Sequence, residues 1–133
     1  MNKVVHTSGK RKRAIARATL TEGKGNIKVN KLALDHYSSK LIRMKIAEPL
    51  LIADKAANKI DIAVKVQGGG VMAQAEAVRL AVARGLLEYT KSKELKQLFL
   101  DYDRQLLVAD VRRKEVCKPN DSKARAKRQK SYR

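Results

Sequence analysis

Side-chain types alternate along residues 13–20, in phase with Arg11. The inward positions of this extended stretch are Ala14, Ala16, Ala18 and Leu20, and the outward positions are Arg11, Arg13, Ile15, Arg17 and Thr19. Period-two alternation predicts a half-buried β-strand. We expect a short extended arm before it, beginning at Val4 and Val5. The arginines are either a solvated strand face or a ladder for phosphates, and the alternation alone does not decide between the two.

Two further strands are predicted downstream. Residues 22–26 form a glycine-bearing loop, and residues 27–30 are expected to return from it as the second strand of a hairpin. The clearest strand covers residues 59–66, and its buried face is lined by Ile60, Ile62, Val64 and Val66. Residues 32–37 are expected to form a short turn or helical piece.

Helical spacing of apolar residues predicts three helices. The main one covers residues 71–89, and its alanines at positions 73, 77 and 81 would let it approach the sheet closely. A helix over residues 40–47, capped by Ser38 or Ser39, is expected to end or kink at Pro49. Residues 50–53 fit either helix or strand. A third helix follows residues 91–93 and ends at residues 101–104, and residues 106–108 fit a short strand or a docked loop.

The chain divides into a globular domain over residues 1–110 and a C-terminal tail over residues 111–133. From Lys118 onward the tail contains no leucine, isoleucine, valine, methionine or phenylalanine. Such a segment cannot bury enough apolar surface to offset the entropy lost when its backbone becomes ordered. We therefore expect the tail to be disordered in water when it is alone.

The charge balance indicates a polyanionic partner. Lysine and arginine total 31 against 13 acidic residues, which gives a formal net charge of +18. Nucleic acid is favoured over a membrane surface, because the cations do not lie opposite an apolar helical stripe. The chain has no apolar run of transmembrane length, no secretory signal pattern and a single cysteine, Cys117. We therefore expect a cytoplasmic protein.

No pattern in the sequence supports catalysis. Residues 68–70 are three glycines that lead into the main helix, so they suit either a bound phosphate or a tight turn, and the turn is preferred. His6 and His36 lie in different elements, which argues against a metal site. Asp101 and Asp103 fit a salt bridge with Arg104 at a helix end better than acid–base chemistry. We expect neither an enzyme nor a cofactor.

Several motifs together resemble the universal S-nine family of small-subunit ribosomal proteins. They are residues 9–16, 25–30 and 66–70, with Gln74, Ala77, Arg79 and Ala83 in the helix that follows. Residues 102–104, 106–110, 112–113, 124–126 and 129–133 are similar to the archaeal and eukaryotic branch, and the lack of eukaryote-style insertions favours an archaeal source. Residues 117–122 depart from the glycine-rich link of many relatives, which leaves the path of the middle of the tail open.

The resemblance implies an α+β fold like that of the second domain of ribosomal protein S-five, in which helices pack on one face of a small mixed sheet. It implies binding to small-subunit rRNA in the head, beside neighbouring head proteins, and a tail that reaches the anticodon stem-loop of peptidyl-site tRNA. The expected rRNA-binding residues are Lys10, Arg11, Lys12, Arg13, Arg17, Arg112, Arg113, Lys114, Lys118, Lys123, Arg125, Lys127 and Arg128. The expected tRNA-binding residues are Lys130, Ser131, Tyr132 and Arg133. On charge alone, a general RNA- or DNA-binding protein outside the ribosome is the alternative.

Overall fold

A computed structural model describes residues 3–119, 125 and 131–132, and it shows an α+β fold. Five strands form one mixed sheet in the order β1-β2-β5-β3-β4. The strands are β1 Val5–Arg11, β2 Ala14–Glu22, β3 Ile27–Val29, β4 Leu32–Ala33 and β5 Ile60–Gln67. The helices are α1 Lys40–Ala53, α2 Val71–Thr90 and α3 Lys93–Tyr102, with 3-10 turns at Leu34–His36, Ala57–Lys59 and Arg104–Leu106. Among the described residues, no helix is long and apolar enough to cross a membrane.

The N-terminal arm and the first predicted strand are in fact the two strands of a hairpin. β1 pairs antiparallel with β2 from Val5 opposite Leu20 to Arg11 opposite Ala14. Lys12, with φ 53°, and Arg13 form the turn between them. Residues paired across antiparallel strands share a face, so Arg11 lies on the helix side with Ala14. The prediction that Arg11 shares the outward face of Arg17 is therefore wrong.

The loop at residues 22–26 does not make the hairpin that the sequence predicts. β3 pairs parallel with β5, and β5 itself pairs antiparallel with β2 and therefore separates the two. β5 takes the central place because it buries Ile60, Ile62, Val64 and Val66 on one face. Asp61 fixes the loop beside β5, where its Oδ1 accepts hydrogen bonds from the Lys24 and Asn26 amides, both at 2.9 Å.

Helix α1 runs through Pro49 to Ala53, so of the two outcomes expected at Pro49 an end is excluded, and residues 50–53 are helical. A proline inside a helix loses one backbone hydrogen bond and costs about 3 kcal/mol. The buried residues Pro49, Leu50 and Ala53 offset that cost by extending the apolar face of α1 beyond Ile46. Ser39 occupies the N-cap position, but its side chain makes no capping hydrogen bond.

Helix α2 packs closely against β1 and β2, as its small residues predict. Ala77 and Ala81 are completely buried. A Cβ atom at Gly9 in β1 would lie 2.2 Å from the Ala77 carbonyl oxygen, so strand backbone meets helix backbone at that point. The Thr7 hydroxyl also donates to the Ala81 carbonyl at 2.8 Å. In the described part of the chain, the helices thus cover one face of the sheet and no helix covers the opposite face.

The segment after α3 ends the apolar core. Leu106 is fully buried in the 3-10 turn Arg104–Leu106, so residues 106–108 are a docked turn rather than a strand. Asp103 makes its salt bridge with Arg79 of α2 and not with the expected Arg104. Residues 111–119 are exposed and lie outside any helix or strand.

Candidate nucleic-acid interface

A cationic groove of about 640 Å³ lies where the β1–β2 turn meets the beginning of the tail. It brings together two clusters of predicted rRNA-binding residues, one at the end of β1 and its turn and one at the beginning of the tail. The residues that line it are Arg11, Lys12, Arg13, Gly69, Gly70, Ala73, Arg112, Arg113 and Lys114. Six of these carry positive charge and none carries negative charge, so the groove suits an anionic ligand.

The glycine turn shapes one wall of this groove. Gly68 and Gly69 have φ of 76° and 65°, and a Cβ at Gly68 would lie 2.6 Å from the Arg13 carbonyl oxygen. These two glycines are therefore explained by a tight turn against the β1–β2 turn. At Gly70, in contrast, a Cβ would meet nothing within 4 Å. Gly70 is the N-cap of α2, so the partial positive charge of the helix N-terminus lies beside the groove.

An ion-pair cluster anchors the tail to β1 and α2. Arg11 Nε lies 2.5 Å from Glu76 Oε2, and its Nη1 lies 2.6 Å from Asp110 Oδ2. The second contact is an ion pair without the alignment of a hydrogen bond. The Arg11 side chain is only 16% exposed. Arg11 therefore positions the beginning of the tail more than it offers charge to a ligand.

Asp110 also holds the first arginine of the tail. Arg112 donates to it from its backbone amide at 2.9 Å and from its guanidinium, whose Nη2 lies 2.6 Å from Oδ2. The side-chain hydrogen bond from Arg112, followed by that from its amide, holds the pKa of Asp110 far below the usual range. Four groove cations, Lys12, Arg13, Arg113 and Lys114, make no ion pair within the described part of the chain.

Two other predicted residues, Lys10 and Arg17, lie on the open side of the sheet, away from the groove. The strand register places Lys10 opposite Ile15, and it places Arg17 between Ser8 of β1 and Lys65 of β5. Both side chains are exposed. The predicted strand ladder is therefore divided between the two sides of the sheet.

The tail residues are described only in part. Lys118 and Arg125 are exposed, and Arg125 Nε lies 2.9 Å from Glu115 Oε2. Ser131 is exposed and Tyr132 is 87% exposed. The predicted residues Lys123, Lys127, Arg128, Lys130 and Arg133 lie outside the described residues.

The acidic residues that organise the groove were not predicted from the sequence. An aspartate two residues before an arginine is a local pattern that gives a hydrogen bond to the following backbone amide, and Asp110 with Arg112 shows it. Glu76 leaves no such signal, because its contact with Arg11 crosses 65 positions of the chain. Among the described residues, no cluster of histidine, cysteine, aspartate and glutamate has a geometry that could hold a metal ion.

Comparison with known proteins extends over almost the entire chain. The model of the family described as ribosomal protein S9/S16 matches residues 9–133. The protein named small ribosomal subunit protein uS9 from Methanothrix thermoacetophila is 53% identical over 131 residues. The protein of the same name from Methanococcus vannielii is 51% identical over 133 residues. Each match covers 98% of this chain and 99% of the relative. Both relatives are archaeal, which agrees with the archaeal source favoured by the lack of eukaryote-style insertions.

Proposed function

The chain belongs to the ribosomal protein S9/S16 family, and from this premise we propose that it binds small-subunit rRNA in the head and that its tail contacts peptidyl-site tRNA. As a member of that family it is a structural constituent of the small ribosomal subunit in translation, and it is not an enzyme. In this proposal, residues 1–110 are the rRNA-binding domain and residues 111–133 are the tail. The protein works in the cytoplasm, inside the subunit, beside other head proteins.

The observation that carries the proposal is the six-cation groove at the root of the tail. Cations that replace the counterions of a nucleic acid release them, and this release favours binding at low salt. The four groove cations without an ion pair are the strongest candidates for phosphate contacts, because the described structure shows no carboxylate that neutralises them. They are Lys12, Arg13, Arg113 and Lys114. Arg11 and Arg112 support these contacts, because their ion pairs with Asp110 hold the beginning of the tail at the groove.

The remaining cations of the tail extend this interface. At about 3.3 Å per residue, residues 118–133 reach roughly 50 Å when extended. The expected rRNA contacts along this path are Lys118, Lys123, Arg125, Lys127 and Arg128. The expected tRNA-binding tip is Lys130, Ser131, Tyr132 and Arg133. The Arg133 guanidinium can form two parallel hydrogen bonds with a phosphate. The exposed ring of Tyr132 is suited to stack on a base or a ribose.

The rRNA contact is tested by the double substitution Lys12→Gln and Arg13→Gln. We expect reduced co-sedimentation with small subunits in high salt and weaker filter binding to head-domain rRNA fragments. The matched control is Lys93→Gln with Lys96→Gln, which removes the same charge from exposed positions on α3. Equal affinity of the wild-type chain for duplex DNA and for structured rRNA at every salt concentration would instead favour a general nucleic-acid-binding protein outside the ribosome.

The tRNA contact is tested by deletion of residues 130–133. We expect normal folding and normal incorporation into subunits but weaker retention of peptidyl-site tRNA. The single substitution Tyr132→Leu removes the aromatic ring and keeps every cation, so it separates stacking from charge. Unchanged tRNA affinity in purified subunits that carry the deletion would contradict the role of the tip.

A further inference from the structure

The open face of the sheet carries a second set of cations. We propose that this face binds the phosphates of an RNA segment separate from the one in the groove, an inference that rests on the proposed rRNA binding. We define the open face as the strand residues on the side without helices, together with Lys31. The strand residues are His6, Ser8, Lys10, Ile15, Arg17, Thr19, Thr21, Lys28, Ala33, Asp61, Ala63, Lys65 and Gln67. Lys28, Lys31 and Lys65 are new candidates for RNA contacts.

Arg17 and Lys65 are direct cross-strand partners in the register of β2 and β5. Both are exposed on the open face, and neither makes an ion pair within the described part of the chain. Like charges directly opposite one another destabilise a sheet. A phosphate bound between them would replace this repulsion with attraction, so the arrangement favours the RNA-bound protein.

A hollow of about 350 Å³ lies beside this pair. Lys31 reaches its rim from a two-residue turn between β3 and β4, in which Asn30 has φ 49° and Lys31 has φ 71°. The Asn30 side chain fixes the turn, because it accepts from the Val66 amide at 2.9 Å and donates to the Val66 carbonyl at 3.2 Å. Arg17, Lys31 and Lys65 therefore line one hollow. The Asn30 hydrogen bonds hold the turn that carries Lys31 in place.

The side chains of the open face indicate which part of RNA is bound. The face contains no phenylalanine, tyrosine or tryptophan, so it lacks the aromatic platform on which sheet-based RNA-binding domains stack bases. Its polar residues suit phosphate and ribose oxygens. Asp61, the carboxylate at the end of this face, is occupied by the loop amides of Asn26 and Lys24, and these two hydrogen bonds lower its pKa. The expected contacts are therefore independent of RNA sequence.

The open face and the groove lie on opposite sides of one sheet. Ala73 of α2 and Arg11 of β1, which line the groove, belong to the helix side, whereas Arg17 and Lys65 belong to the other side. In this proposal the domain therefore holds two RNA segments, one on each side of the sheet.

The test is the double substitution Arg17→Gln and Lys65→Gln in the full-length protein, with head-domain rRNA as the probe. We expect affinity to fall roughly tenfold near 0.1 M salt, and the slope of log affinity against log salt to fall by about one to two. The control Lys93→Gln with Lys96→Gln removes the same charge and should change affinity much less. Without RNA, the open-face variant should unfold at the same or higher urea concentration than the wild type, because a repulsion is gone.

The outcomes separate this inference from the proposed function. If the wild-type chain does not bind head-domain rRNA, the proposed function fails. If the wild type binds and the groove variant Lys12→Gln with Arg13→Gln loses affinity, but the open-face variant behaves like its control, the second surface is overturned and the groove stands. If the open-face variant bound anionic lipid vesicles more weakly than the wild type but bound rRNA equally well, the open face would be assigned to a membrane and not to RNA.

Discussion

Arg79 and Asp103 form a salt bridge that ties the middle of α2 to the end of α3, with Arg79 Nη1 2.9 Å from Asp103 Oδ2. Arg79 Nε also lies 2.5 Å from Glu48 Oε2 of α1, in an ion pair that is not an aligned hydrogen bond. Arg79 is 5% exposed and is the buried charged residue of the described structure. Its guanidinium therefore joins all three helices at one point.

Replacing Arg79 tests this three-helix junction. Arg79→Met removes both ion pairs, which leaves Asp103 without an ion-pair partner in the described structure and leaves Glu48 with Lys45 at 3.6 Å. Breaking a buried pair costs about 3–5 kcal/mol, and the partial exposure of Glu48 and Asp103 lowers our expectation to about 2 kcal/mol. Urea denaturation measures the loss. The control Arg104→Met changes an exposed neighbour and should stay within about 0.5 kcal/mol; an equal effect of both substitutions would contradict the junction.

The same junction predicts a loss of stability in acid. Burial raises the pKa of Asp103, but hydrogen bonds from the Gln105 amide and from Arg79 outweigh it and hold that pKa below its usual value. A carboxyl with a depressed pKa in the folded state stabilises the fold above its unfolded value, and this contribution disappears as pH falls through the folded value. Asp103→Asn should therefore flatten the dependence of urea midpoint on pH below about 4. Asp101→Asn, at an exposed position, should leave that dependence as in the wild type.

Gly9 tests the close contact between β1 and α2. Gly9→Ala would place a Cβ atom 2.2 Å from the Ala77 carbonyl oxygen, so strand and helix must separate. Overpacking of this kind costs about 1–3 kcal/mol, and thermal unfolding should detect it. Ser8→Ala, on the open face one residue away, is the control. An unfolding midpoint equal to that of the control would show that the two backbones have room to move apart.

Substitutions in the glycine turn at residues 68–70 should separate effects on folding from effects on rRNA binding. Gly68→Ala is expected to destabilise the domain, because φ is 76° and the new Cβ would lie 2.6 Å from the Arg13 carbonyl. Gly70→Ser should keep stability, since its Cβ meets no atom and serine is a favourable N-cap residue. The serine side chain would nevertheless enter the groove and weaken rRNA binding. Undiminished binding by a folded Gly70→Ser variant would argue against phosphates near this turn.

Asp110 should control how firmly the beginning of the tail is held. Asp110→Asn weakens the contacts with Arg11 and Arg112 and should leave the core intact. Trypsin is then expected to cleave after Arg112 and Arg113 faster than in the wild type, which mass spectrometry can follow over time. Asp101→Asn is again a suitable control, because Asp101 hydrogen-bonds only with Gln97 on its own helix within the described residues. Equal cleavage rates would show that the ion pairs do not restrain the tail.

Much of the fold could be predicted from local patterns, because burial imposes a regular period on the sequence. β5 and α2 bury their apolar residues with clear two-residue and helical spacing, and the structure confirms both. The errors arise where contacts between residues far apart in the sequence determine the strand order or the length of a helix. β5 lies between β2 and β3, which no local signal reveals. Pro49 stays helical because the core continues past it.

The sequence predicts which residues of the candidate site carry positive charge, but not where these residues lie relative to one another. Lys12, Arg13 and Arg113 stand out in the sequence as cations, and the structure brings them together in one groove. The opposite placement of Arg11 and Arg17 depends on the two-residue turn at Lys12. The acidic partners Glu76 and Asp110 became visible only through contacts between distant parts of the chain.

The two halves of the groove come from distant parts of the sequence, so they are synthesised at different times. One half, at Arg11–Arg13, leaves the translating ribosome early, whereas Arg112–Lys114 emerge only after Leu106, the last buried residue in the described part of the chain. A nascent chain that still lacks its end therefore has only half of the groove, and Arg11 has no Asp110 to fix it. In the proposed function, the complete set of groove cations is therefore available to rRNA only after residues 112–114 have been synthesised.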